Sequence, residues 1–300
     1  MGERGDAESS EPETRNPGQG TGPRETRTRL PGSGTRRRWL GPRVVGAPAA
    51  LGAAFIWGLT FAPSKVALAE MGPLTLAVLR FAIALAVIGV AVARLRPSPW
   101  RLRKLSWGTL AMLGFTSVTL FFGLQNLGLA RTSASNASLI ASSVPALTAI
   151  LSAVLLRERV TRLRAAGIAA SMAGVGAIVL LGSEAGGSGS LDGDLLVLGA
   201  AIAWAVYTLV NKGVSGRMPE SLLLAYTMAF GTLFLLPGAA AETILVGFGP
   251  VSPAGWLSVL FLGLLGSGAS FFLWNAALRR LDASEASTYI NLVPVIAVAS

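Results

Sequence analysis

Residues 51–65 read LGAAFIWGLTFAPSK, and residues 198–212 read LGAAIAWAVYTLVNK. Leu51, Trp57 and Lys65 recur without a gap as Leu198, Trp204 and Lys212, an offset of 147. Further on, residues 107–151 align without gaps on 256–300 at an offset of 149. The identities include Trp107/Trp256, Gly114/Gly263, Phe122/Phe271, Asn126/Asn275, Ser138/Ser287 and Pro145/Pro294. Trp, Asn and Pro shared at fixed separations are not a by-product of apolar composition. One unit is written twice.

The composition says in which solvent that unit folds. Of 300 residues, 52% are hydrophobic and only 13% charged, against about 25% charged in a soluble domain. A helix needs about 20 mostly apolar residues to cross a bilayer. Such runs occur at 47–69, 73–93, 106–129, 133–155, 164–182, 194–212, 221–241, 254–279 and 284–300. They lack the period-2 alternation of barrel strands and are twice as long. The expected class is therefore an all-α polytopic membrane protein in the cell membrane, with the lipid bilayer as a partner.

Charge patterning orients it. Nine of the 25 Lys and Arg lie in residues 1–43, a Gly-, Pro- and Ser-rich segment too poor in apolar residues to order itself. It reads as a disordered basic tail, and the first apolar run starts too late for a signal peptide. Arg94 to Lys104, Arg157 to Arg164, Lys212 with Arg217, and Arg279 with Arg280 mark alternate loops, while the intervening loops are nearly bare. The positive-inside rule then places the N-terminus in the cytoplasm. The net charge of +10 falls between apolar runs rather than on an aromatic-interleaved stripe, so no nucleic-acid partner is expected.

The chain has no cysteine and no histidine. That excludes disulfides, thiol nucleophiles and His-based acid–base chemistry, with nearly all zinc, copper and haem sites. No cofactor and no metal are expected, and no enzyme activity. The rivals are a multispan membrane enzyme, whose candidate groups Glu158, Asp282 and Glu285 lie apart, and a lipid-scrambling protein.

The duplicated unit holds five spans. An odd number forces the second copy into the membrane from the opposite side, so Lys65 falls at the outer end of its span and Lys212 at the inner end. Inverted repeats of this kind form alternating-access carriers, with substrate bound near the midplane at the repeat interface. The division expected is a tail over 1–43, a first five-helix repeat over 44–183, a linker outside the cytoplasm over 184–193 and an incomplete second repeat over 194–300. The second copy reaches Ser300 within its fourth span, the ninth of the chain, before any counterpart of RERVT (157–161) or of the fifth span. A molecule ending there is expected to be inactive.

FIWGLTFAPSK, PLTLAVLRFAIA, LQNLGLARTSASNASLIASSVPALTAILSAVLLRERVT and AGIAASMAGVGAIVLLG in the first copy, with LFLGLLGSGASFFLWNAALRRLDASEASTYINLVPVIA in the second, resemble the EamA-type repeat of the drug/metabolite transporter superfamily. The resemblance covers residues 45–300. It implies a ten-helix fold with both termini inside and a small-molecule substrate, either amino-acid-like or amphiphilic. Efflux is the expected direction, and the fold leaves room for a homodimer.

Candidate substrate-binding residues follow from polarity or aromaticity at depth. Arg80 lies about seven residues into the second span, where a cation costs roughly 2.5–3.5 kcal/mol on insertion scales. It either anchors a substrate carboxylate or reaches water and helix carbonyls along its stem. Trp57 and Trp204 are mid-span, away from the interfacial belts, and read as cavity walls or packing. Tyr207 adds a hydroxyl one turn away. Asn126 and Asn275 are equivalent, as are Ser142 and Asn291; each pair either lines a cavity or ties helices. Pro145 and Pro294 should bend the fourth and ninth spans. Lys65 is expected to snorkel. Ala134/Ser138/Ser142 and Gly167/Ser171/Gly174 read as close-packing stripes, and Glu158 as a partner for Arg162. Every acidic residue falls in the tail, in a loop or near a helix end, which favours exchange or facilitated diffusion over a carboxylate relay.

Overall fold

The computed structural model describes residues 35–95, 105–156, 162–181 and 190–299. Among these the chain is helical, without strands. In order the helices are α1 (Val45–Leu68), α2 (Pro73–Arg94), α3 (Trp107–Arg131), α4 (Ala134–Leu155), α5 (Ala165–Ala177), α6 (Leu191–Val214), α7 (Glu220–Val246), α8 (Pro253–Leu278) and α9 (Ala283–Ala299). Seven are long and apolar enough to cross a membrane, and α5 and α9 are shorter. Each expected span falls on one of these helices. Helical backbone reaches back from α1 to Thr35, into the segment expected as tail. Residues 1–34, 96–104, RERVT with Glu158, and 182–189 lie outside the described residues.

Serines start four of the spans. Ser106, Ser133, Ser190 and Ser252 each accept a backbone N–H three residues on, at the heads of α3, α4, α6 and α8. Each satisfies a donor that the first turn leaves free.

The helices break where the sequence removes a donor. Pro63 has no N–H for the Leu59 carbonyl, and α1 is interrupted at Leu59–Thr60. Val210 holds the equivalent place in α6, which runs unbroken. As expected, α4 turns at Ser142–Ser143 ahead of Pro145, and α9 tightens to a 3₁₀ turn at Tyr289–Asn291 ahead of Pro294. The π-helical stretches inside α3 (Phe115–Leu120) and α8 (Leu262–Ala269) were not foreseen. They overlap at the repeat offset.

Packing repeats as well. A Cβ on Gly114 would stand 2.6 Å from the Thr227 carbonyl oxygen, and one on Gly263 3.1 Å from that of Arg80. Thus α3 crosses α7 as α8 crosses α2, on equivalent glycines and equivalent partner residues. Only glycine permits that approach. Lys65 Nζ donates to the Thr132 carbonyl (2.6 Å), and Lys212 Nζ donates to the equivalent Leu281 carbonyl (2.6 Å) and to that of Leu278 (2.9 Å). The expected snorkelling of Lys65 is replaced by a bond that ties α1 to the α3–α4 corner, because an unbonded ammonium at a helix junction is costly.

One packing expectation fails. A Cβ on Gly167 or Gly174 would meet nothing within 4 Å, so the small-residue stripe of α5 is not a close helix contact. No described helix approaches that face. The equivalent Trp107 and Trp256, 64% and 46% exposed, mark opposite ends of the bundle: Trp107 packs on Tyr226 near the start of α7, and Trp256 follows the Ser252 cap that meets Glu70.

Candidate functional site

A cavity of about 450 Å³, its mouth included, lies where α1, α3, α4, α6 and α9 meet. Trp57 faces it from α1, Trp204 from α6, Ala141 and Val144 from α4, and Ile290 and Val293 from α9. These are three repeat-related pairs: Trp57/Trp204, Ala141/Ile290 and Val144/Val293. Phe121, Phe122 and Gln125 of α3, with Thr60 and Phe61 of α1, complete the wall. Thr60 lies in the interruption that Pro63 causes. Its hydroxyl turns back to the Trp57 carbonyl (2.6 Å).

The aromatic residues form one cluster. Trp57 meets Trp204 edge to face at 5.1 Å between centroids and Trp274 at 5.3 Å. Phe121 lies 4.6 Å from Trp204, and Phe271 stands edge-on to both Trp57 and Trp204. Such offset arrangements add about 0.5–1.5 kcal/mol per pair beyond burial. The indole N–H groups of Trp57, Trp204 and Trp274 are buried without a hydrogen-bond acceptor. Two of these orphan donors belong to residues of the cavity wall, although the N–H groups themselves are buried.

Arg80 sits behind this wall, 2% exposed. Its Nε donates to Ser267 Oγ (2.9 Å), and its guanidinium carbon lies 4.4 Å from the centre of the Phe122 ring. Nη2 has no partner, and no ion pair to Arg80 is found among the described residues.

The remaining candidates lie elsewhere. Asn126 ties helices, donating from Nδ2 to the Pro73 carbonyl (3.0 Å). Asn275 accepts from Asn211 Nδ2 (2.9 Å) and donates to the Phe271 carbonyl (2.8 Å), while Asn211 also donates to the Tyr207 hydroxyl (3.0 Å). Tyr207, Asn211 and Asn275 thus form a closed network behind Trp204. Buried amides need such partners, which is why these residues are spent on structure. Ser142 bonds its own helix at the Leu139 carbonyl, and Asn291 is exposed. None of these five is in the cavity wall.

Sequence reasoning missed Gln125 and Thr60. Gln125 is a polar residue deep in a span, next to the candidate Asn126. Thr60 could have been found by pairing Pro63 with the helix break it dictates. Asp194 is fully buried near the start of α6, accepting from the Thr132 hydroxyl and from Asn136 Nδ2 (3.4 Å).

Comparison with known proteins agrees with this architecture. The sequence profile of the EamA-like transporter family matches twice, over residues 44–180 and 191–300. An uncharacterized transporter of Archaeoglobus fulgidus is 32% identical over 248 residues, which is 80% of this chain and 82% of that protein. A probable terminal-alkyne amino-acid exporter of Streptantibioticus cattleyicolor is 31% identical, over 81% of this chain and 79% of its own. A probable amino-acid metabolite efflux pump of Salmonella typhimurium is 28% identical, with 84% of each chain covered. A chain of known crystal structure superposes with a TM-score of 0.64 at 26% identity, over 86% of this chain and 87% of that one. With its apolar spans and duplicated unit, the chain belongs to the EamA-like transporter family and is a multi-pass membrane transporter, not an enzyme.

Proposed function

We propose that this protein exports small amino-acid-like or amphiphilic solutes by alternating access. A five-helix unit over 44–183 and an incomplete second unit over 194–300, of opposite orientation, would share the central cavity, with the basic tail in the cytoplasm. The observation that carries the reading is the cavity wall itself. Trp57/Trp204, Ala141/Ile290 and Val144/Val293 face one space from both units, as expected of a site at the interface of inverted repeats. The opposite placement of Trp107 and Trp256 and the matching glycine crossings support the inversion. Aromatic faces suit a solute with an apolar body. The names of the relatives from Streptantibioticus and Salmonella favour amino-acid-like cargo and the outward direction.

No described carboxylate lies among the cavity-lining residues, and Asp194 is engaged at one end of the bundle. The carrier is therefore read as an exchanger or facilitator rather than a proton relay. Counterflow of radiolabelled amino acids into liposomes holding the full chain tests this. Uptake should persist with the proton gradient collapsed, and W57A and W204A should each lower it at least about tenfold, in line with loss of a buried aromatic contact. Strict gradient dependence would overturn the facilitator reading. Labelling of single cysteines at residues 186–189 only from the cytoplasmic side would overturn the inverted arrangement.

A further inference from the structure

The repeat symmetry singles out Arg80. Its equivalent in the second unit is Thr227, and the two residues present equivalent carbonyls to the equivalent glycines Gly263 and Gly114. The backbone arrangement is thus fully served by a residue without charge. A guanidinium placed at this depth in one unit only is costly unless a counter-charge is met.

The surroundings say what is lacking. Nε is satisfied by Ser267, and the π face of Phe122 covers one side of the group. Nη2 has no acceptor. A Cβ placed on Gly266 would stand 2.9 Å from that Nη2 and 2.8 Å from the Thr60 methyl carbon. Gly266 therefore leaves the free donor and Thr60 facing a common point. Thr60 and Phe122 are both cavity wall, so the unpaired donor is one side chain away from the cavity.

We propose that Arg80 Nη2, reached between Thr60 and Phe122, is an anion subsite that takes a substrate carboxylate while the aromatic cavity holds the apolar body. This rests on the transporter reading above and names the charged part of its cargo. The two orphan features then answer each other: a donor without an acceptor, and a cavity whose wall carries no charge to hold an acid. A planar guanidinium edge suits a carboxylate better than an ammonium would, because its N–H groups are fixed in direction. Gly266 lets the free donor and the Thr60 methyl pack closely, since a Cβ there would crowd both, and Ser267 holds the fork by its Nε.

The test uses 3-phenylpropionate and 3-phenylpropionamide, which share a body and differ in charge, with the full chain in detergent. Binding is read from ligand-induced melting shifts, and transport from liposome counterflow. On the unaltered protein the acid should bind roughly thirty-fold more tightly than the amide, the loss typical of unpairing a buried charge. R80Q should abolish that preference, leaving acid and amide with equal affinity. G266A, which keeps the charge and crowds the free donor, should weaken the acid selectively. Equal binding of acid and amide by the unaltered protein would overturn the proposal without any variant having to fold. Wild-type counterflow of uncharged or cationic solutes by R80Q, with no acid preference in the parent, would overturn the subsite alone. Absence of counterflow for every amino acid and both probes would overturn the transporter-site reading and the subsite with it.

Discussion

The two ends of the bundle are held in different ways. At one end, carboxylates of each unit grip helix starts of the other. Glu70, in the α1–α2 turn, accepts from the Ser252 amide (2.7 Å) and hydroxyl (2.6 Å) at the head of α8. Glu242, near the end of α7, accepts from the amides of Leu74 (3.3 Å) and Thr75 (2.8 Å) and the Thr75 hydroxyl (2.8 Å) at the head of α2. Arg131 and Asp192 pair across the same end at 3.4 Å. At the other end, the described ion pairs and lysine bonds stay inside one unit. Arg279 pairs with Glu220 at 3.0 Å, and Lys212 caps carbonyls beside Asp282. The cross-unit contacts described toward that end are uncharged: the ring contact of Trp107 with Tyr226 and the hydroxyl pair Ser287–Thr148, at 3.4 Å. A nearly symmetric backbone thus carries asymmetric clamps. Free N–H groups at helix starts favour carboxylates, so the Glu70 end is the more firmly closed. In the alternating-access reading this conformer is sealed at the Glu70 end, and the carboxylates set which of two similar states is preferred.

The largest effect should come from Glu242, which answers three donors at once. E242A is expected to cost about 2–3 kcal/mol, since hydrogen bonds to a charged acceptor are worth roughly 1.5–3 kcal/mol and the loss is shared with water at a helix end. Denaturant unfolding in detergent measures it. The same variant should speed labelling of a cysteine put in place of Thr60 by a reagent added from the Glu70 side. Unchanged unfolding and unchanged labelling would show the two ends to be equivalent.

The lysines give a finer contrast. Lys65 serves one carbonyl and Lys212 serves two. K212M should therefore lose about 1 kcal/mol more than K65M, one net hydrogen bond, with the methionine keeping the stem's packing. Equal losses in paired melts would remove the distinction between the ends at these residues.

How far the sequence carried this picture depends on the range of each interaction. Helix positions, the breaks ahead of Pro145 and Pro294 and the central Trp57 and Trp204 follow from local periodicity, missing donors and the repeat, all readable along the chain. The clamps do not. Glu70 meets Ser252 182 residues away, and Glu242 meets Thr75 167 residues away; nothing local marks either glutamate as more than a loop or helix-end charge. Asn126 and Asn275 show the converse limit. Their equivalence was legible, yet one bonds a carbonyl of α2 and the other a tyrosine–asparagine network, because the residues opposite them differ between the units. The stripe on α5 failed for the same reason: small residues permit a close contact but do not supply the partner.

Glu70 offers the smallest effect and the most specific signature. The Ser252 hydroxyl, and after it the Ser252 amide, hold the Glu70 carboxyl below its ordinary value of 4.5. Both bonds need the charged form to accept fully. A carboxylate whose folded value is depressed stabilises the fold above its unfolded value, and that contribution disappears as pH falls through the folded value. Glu70 should thus support the Glu70 end at neutral pH and cease to do so in acid, below about pH 4.5. The melting difference between the unaltered protein and E70Q should be present at neutral pH and shrink steadily on acidification below that point. A carboxylate elsewhere would titrate in both proteins and cancel in the difference. A gap that stayed constant across the acid range would mean that Glu70 is not gripping α8 through its charge, and that Glu242 and the Arg131–Asp192 pair distinguish the two ends without it.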